Sequence, residues 1–162
     1  MTDTKQDLFA VYGATAYYAQ MFEIGLRSIL LSAHILANPA LKGEHLGPIS
    51  LQITKSNMGP LLAEIKKRYP VQPELQKSFD GLREKRNHLI HHFFFKNAFR
   101  MVTDEGRKAM ANELKDLFLE FKTADELTDI LAAKIRKDLG WSEAAFMDEV
   151  EKRYTAELGL GA

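Results

Sequence analysis

From Leu8 to Leu36 apolar residues recur at every third or fourth position: Leu8, Val11, Tyr12, Ala16, Ala19, Phe22, Leu26, Ile29, Leu30, Ala33 and Leu36. That spacing lines one face of a helix and does not suit the two-residue alternation of a strand. The run extends from about Thr4 to Ala37, with Thr4 and Asp7 set as a capping box and Asn38-Pro39 as the stop. At about 1.5 Å per residue it predicts a helix roughly 50 Å long. That is long for a domain of 162 residues, and Gly25 is where it would bend. Such a helix stays folded only when other elements cover its apolar face.

The rest of the chain offers further helices and no sustained strand alternation. Pro48 to Lys55 reads as a short helix or an extended piece. Gly59-Pro60 resembles an N-cap followed by proline at the first helical position. Leu61, Leu62, Ile65 and Tyr69 then form a second, shorter helix that ends before Pro70. Pro73 opens a third helix with a seam of Leu75, Phe79, Leu82, Leu89 and Phe93, and Arg86 occupies the slot between Leu82 and Leu89. Thr103-Asp104-Glu105 opens a fourth, with Met110, Leu114, Leu117, Phe121, Ala124, Leu127, Leu131, Ile135 and Leu139 along its seam. Thr123 and Glu126 would allow a fresh start there, but the unbroken seam favours one helix. Gly140 stops it, and Ser142 begins a last helix over about 142–157. The expected fold is an all-α, antiparallel bundle of about four main helices with a short extra helix. One domain spans 1–162.

Composition narrows the function. Lys plus Arg and Asp plus Glu both number 22, so the formal net charge is zero. This excludes a generally basic nucleic-acid coat and an acidic tail, while leaving room for a local basic patch. The chain has no cysteine, hence no disulfide framework, thiolate metal site or cysteine nucleophile. The N-terminus lacks a signal-peptide pattern, and the most apolar stretch, Ile24 to Leu36, is interrupted by Arg27 and His34. A cytoplasmic protein with no membrane association is expected.

One segment carries chemistry. Three of the five histidines fall within Arg86-Asn87-His88-Leu89-Ile90-His91-His92. At 100° per residue, Arg83, Asn87, His91 and Glu84 lie at about 60°, 100°, 140° and 160° from Arg86, on one broad flank. His92 and Lys85 fall on the opposite flank, and His88 lies nearly opposite Arg86. An imidazole exchanges a proton near neutral pH, and a guanidinium is a permanent cation with a fork matched to phosphate oxygens. Two readings of these residues stand at this point. Arg86 is a cation for phosphate, or it is a core arginine paired with an acid such as Glu23 or Asp116. Asn87 likewise serves a site or is hydrogen-bonded between helices, and His91 serves a site or is an interface or surface histidine without chemistry. A zinc site from His88 and His92 has the right i,i+4 spacing but no evident third ligand.

Arg86-Asn87-x-x-x-His91 resembles the signature of the HEPN superfamily: an arginine, often followed by a polar residue, and a histidine after a spacer of four to six residues. The resemblance covers about a sixth of the chain, and the rest agrees only in helical layout. It implies a helical bundle and a metal-independent endoribonuclease that works as a homodimer, with the two motifs meeting across the interface. On that footing His91 is general acid or base, Arg86 clamps the phosphate and Asn87 orients Arg86 or the substrate. Arg83, His92 and Lys96 are candidates for binding RNA, and Lys66, Lys67, Arg68 and Arg100 could line its path. No cofactor or metal is implied. Relatives of this type also serve in toxin–antitoxin or phage-defence systems, so an antitoxin or a nucleotidyltransferase is an implied partner. Others have lost catalysis and bind RNA, nucleotide or a partner protein. The alternative function is a module of that kind.

The motif leads into Phe93-Phe94-Phe95, with Phe99 close behind. Successive helical residues point about 100° apart, so the three phenylalanines cannot share one core, and at least one is expected to be exposed or to meet a partner.

Overall fold

The computed structural model describes residues 5–38, 51–53, 55–68 and 72–138, with isolated positions between and after them. The expected C-terminal helix over 142–157, Leu139, and the stop at Pro70 lie outside the described residues. The architecture is an all-α bundle, and no strand occurs among the described residues. Four helices form its body: α1 (Lys5–Ala37), α2 (Met58–Arg68), α3 (Pro73–His91) and α5 (Asp104–Asp138). A one-turn helix, α4 (Phe93–Lys96), and a 3-10 turn (Arg100–Val102) form the corner between α3 and α5.

The helix ends follow from local chemistry. Pro73 sits in the first turn of α3, where its missing N–H costs nothing. Thr103 accepts a hydrogen bond from the Gly106 N–H at 3.1 Å and so caps α5. The helix then runs 35 residues without a break at Thr123. Gly140 adopts φ 75° and its N–H donates to the Lys137 carbonyl at 2.9 Å, which closes the C-terminus. In the ambiguous segment before α2, residues 51–53 are helical.

Cross-contacts set the directions. Tyr12 Oη donates to the Leu89 carbonyl, and the Phe22 and Phe79 rings are 5.3 Å apart, so α3 runs against α1. Lys85 pairs with Glu120 and His88 faces Glu113, so α3 also runs against α5. Lys66 meets Asp80 at 2.5 Å while Gly59 lies beside Arg83, so α2 too opposes α3. Two helices opposed to a third are parallel to one another, and α1 and α5 accordingly run side by side in one direction. The pairs Thr15–Leu114, Tyr18–Phe118 and Gly25–Thr128 mark their register.

The core forms where these helices meet. Phe22, Phe93, Phe121, Leu26, Leu89 and Leu114 are all but inaccessible to solvent. Fully burying side chains of this size stabilises by about 1.5–3 kcal/mol each. The α5 seam departs from expectation in its second half, where Thr128 and Ala132 are buried and Leu127 and Leu131 only half-buried, while Ile135 is buried as expected. The reason is Gly25. A Cβ there would fall inside the Thr128 side chain, so the two helices touch through their smallest residues. Gly25 therefore serves close packing, and α1 continues through it to Ala37.

Candidate functional site

The continuous α3 seam that the sequence suggests is interrupted at His92, whose φ of −129° separates α3 from α4. The i→i+4 hydrogen bonds nevertheless continue: His92 N–H donates to His88 O at 2.9 Å and Lys96 N–H to His92 O at 2.9 Å. Buried Asn97 fixes the corner by donating through Nδ2 to Phe93 O at 2.9 Å while its Oδ1 accepts from Arg100. The deflection drives Phe93 into the core and sets Phe94 against Phe9 and Tyr12 of α1. Phe95 is left exposed, as three consecutive phenylalanines require.

Just before this break, α3 forms one wall of a cleft of about 470 Å³. Arg83, Arg86, Asn87, His91 and His92 line it from α3, and residues 57–60, at the start of α2, line it from the other side. The sequence-derived set is thus brought together with one exception. Lys96 lies on α4, exposed and outside the lining. Among the other basic residues considered, Lys66 pairs with Asp80 and Arg100 with Glu113 at 3.0 Å, Lys67 is exposed, and the side chain of Arg68 lies outside the described residues.

Arg86 is held from behind. Its Nη2 donates to Glu23 Oε2 at 3.1 Å and its Nη1 to Asn87 Oδ1 at 3.3 Å. The other oxygen of Glu23 takes Arg27 Nη2 at 2.6 Å, and the same Nη2 lies 3.3 Å from Ser56 O. A single carboxylate, nearly buried, therefore bridges two guanidiniums from opposed helices. Arg86 remains about a quarter exposed, and a guanidinium has five N–H donors of which these contacts use two. Its fork is oriented and still has donors to offer.

Arg83 stands one turn earlier. Its Nε is buried with no hydrogen-bond partner, and its Nη1 would lie 3.3 Å from a Cβ at Gly59. The bare glycine backbone makes room for the guanidinium. Arg83 and Arg86 bring two fixed positive charges into the cleft, Arg27 stands behind it and shares the Glu23 carboxylate with Arg86, and the amino end of α2 adds the positive end of its dipole. The cleft attracts anions. Asn87, His91 and His92 are exposed within it, with the His91 and His92 rings 6.2 Å apart, edge to face.

His88 points away, its Nε2 3.8 Å from Glu113 Oε1, so the i,i+4 histidine pair does not converge with a third ligand. Among the described residues no three His, Asp or Glu side chains come together as a metal site would need. Glu84 is exposed and outside the cleft lining.

The sequence reading names Glu23 as one of two acids for Arg86, and the structure selects it. It misses Arg27 and the start of α2. Arg27 was legible as the i+4 partner of Glu23 on one helix, whereas the placement of residues 57–60 depends on how α2 packs and had no local signal. No family model matches this chain, and no curated protein or solved structure is significantly similar to it.

Proposed function

We propose that this protein is a metal-independent endoribonuclease of the HEPN type, acting as a homodimer through the cleft on α3. The observation that carries the reading is the gathering of Arg86, Asn87 and His91 on one wall of a cationic cleft, with Arg86 oriented by Glu23. RNA supplies its own nucleophile, the ribose 2′-hydroxyl. Cleavage needs a base to accept that proton, an acid to protonate the departing 5′-oxygen, and cations for the charge that builds on the phosphorane. His91 takes the proton-transfer role, and Arg86 with Arg83 the electrostatic one. Asn87 keeps the Arg86 fork in place. One chain provides one such set, and a two-fold partner provides the second histidine that simultaneous acid and base catalysis requires. A toxin or phage-defence role, restrained by an antitoxin or served by a nucleotidyltransferase, accords with this activity.

A second reading draws on the Glu23 contact itself. An arginine already paired with a carboxylate is a weaker electrophile, which suits a non-catalytic module that binds RNA, nucleotide or a partner protein. Incubation of single-stranded RNA with the wild type, Arg86→Ala and His91→Ala, each with EDTA, separates the two. The enzyme reading predicts cleavage by the wild type alone, undiminished by EDTA. Cleavage that survives both substitutions defeats the site assignment. RNA binding without cleavage, weakened by Arg86→Ala, establishes the module.

A further inference from the structure

Among the described residues, the two most exposed large hydrophobic side chains are phenylalanines. Phe95 is 85% accessible and Phe99 92%. Rings this free make almost no contact with the protein, so packing does not explain them. Their position does suggest a role. Hydrogen bonds carry the helical path through His92 into α4. Phe95 is four residues beyond His91 and three beyond His92, and Phe99 is four beyond Phe95. Residues so spaced are neighbours on a helical surface. His91, His92 and Phe95 therefore follow one another along an exposed surface that starts in the arginine-lined cleft, and Phe99, in the turn after α4, presents a further exposed ring at the α3–α5 corner. Exposed Lys96 flanks it.

We propose that this surface is a stacking platform for the bases of a single-stranded RNA segment whose phosphate lies in the Arg83/Arg86 cleft. The inference rests on the RNA reading of that cleft and adds the side chains that hold the bases of its substrate, Phe95 and Phe99. Bases held in a duplex are stacked on each other, whereas unpaired bases are free to lie on aromatic rings. The charge is complementary, since a backbone phosphate would meet Arg83 and Arg86 in the cleft while the bases reach the rings. A second protein chain suits the patch less well. Two phenylalanines bury about 150–250 Å² each, and a stable interface needs about 800 Å² per partner. Val102, also exposed, adds one small apolar side chain, and the flanking Lys96, Thr103 and Asp104 are polar and exposed, so the patch stays well below that area.

The test is equilibrium binding of a short 2′-O-methyl oligouridine, which resists cleavage, against an abasic oligomer of the same length. The full-length wild type is compared with Phe95→Ala/Phe99→Ala, Phe95→Trp/Phe99→Trp and Arg86→Ala. The platform predicts that the wild type prefers the base-bearing oligomer. The double alanine variant loses that preference, at a cost of at least about fivefold in affinity per ring. The tryptophan variant keeps it, and Arg86→Ala weakens both oligomers alike. If the double alanine variant binds oligouridine as tightly as the wild type while Arg86→Ala still weakens it, the cleft binds RNA and the platform is wrong. The platform is equally wrong if the alanine substitutions change a dimer into a monomer with base preference intact. If the wild type binds neither oligomer, the RNA reading falls and the platform with it.

Discussion

Replacing Gly25 by alanine should destabilise this protein, although the same change elsewhere on the same helix should stabilise it. Alanine is favoured over glycine in a helix interior by about 0.8–1.0 kcal/mol. At Gly13 a new Cβ meets nothing within 4 Å, so Gly13→Ala should collect that gain whole. At Gly25 the Cβ would overlap Oγ1 and Cβ of Thr128, which is fully buried. Thr128 cannot swing clear, because its hydroxyl donates to Asp125 O at 2.8 Å within α5. Relief requires the two longest helices to separate along their tightest contact. Overpacking of this kind costs typically 1–3 kcal/mol and occasionally more, and the separation also loosens neighbouring contacts around Leu26, Ala132 and Phe22. The depth of the overlap puts this site at the upper end of that range, about 3 kcal/mol, and after the propensity gain is subtracted a net loss of about 2 kcal/mol is expected. For a domain of this size that lowers the Tm by roughly 4–8 °C, against a rise of about 2–4 °C for Gly13→Ala. Parallel thermal melts monitored by circular dichroism measure both. A Gly25→Ala variant as stable as Gly13→Ala would refute the close α1–α5 contact and the register drawn from it.

Three further outcomes follow from particular contacts. Glu23→Gln removes the charge that bridges Arg27 and Arg86 and should cost about 1–3 kcal/mol, less than a fully buried pair because both guanidiniums are about a quarter exposed. Urea unfolding measures that loss, and RNA cleavage should fall with it as Arg86 loses its anchor. Asn97→Ala removes a buried amide that ties the α4 corner to both Phe93 O and Arg100, and a loss of about 1–3 kcal/mol in the same assay is expected. Asp125 is raised from the ordinary aspartate value by desolvation first and by the charges of Asp129 and Glu126 next. The folded state therefore binds its proton more tightly than the unfolded chain, and this group's contribution to stability declines as pH rises through that window. Asp125→Asn should raise the Tm at neutral pH, and the gain should vanish as pH falls below the ordinary aspartate range.

Periodicity carried much of the fold because α1 and α5 are long and bury one stripe each. Leu8 to Ala33 and Met110 to Phe121 fall on their core faces as their spacing requires. Caps at Thr103 and Gly140 and proline at the start of α3 were equally local signals. Direction was not. The parallel run of α1 beside α5 depends on α3 lying against both, which no window of sequence contains. The switch of the α5 seam to Thr128 and Ala132 was hidden for a related reason: hydrophobicity marks leucines as core, while the close approach at Gly25 selects small residues. The site was half legible. Arg86, Asn87 and His91 were visible as a motif and Arg83 as a neighbour on the same flank. Glu23 lies 63 residues from Arg86 in sequence and entered only as one of two possible acids. The break at His92, which sends Phe93 inward and leaves Phe95 outside, arises from a buried Asn97 whose role no spacing rule announces.

Cleavage of RNA in the α3 cleft, as proposed, runs by way of the ribose 2′-hydroxyl. The most direct measurement is mass spectrometry of the ends left by the wild-type protein on a defined single-stranded RNA in EDTA, beside the same RNA with a 2′-deoxy sugar at the mapped cleavage position. A ribonuclease of this kind leaves 2′,3′-cyclic phosphate and 5′-hydroxyl ends on the first and does not cleave at that position of the second. Fragments carrying 5′-phosphates, cleavage across the deoxy sugar, or an RNA left whole would contradict the proposal.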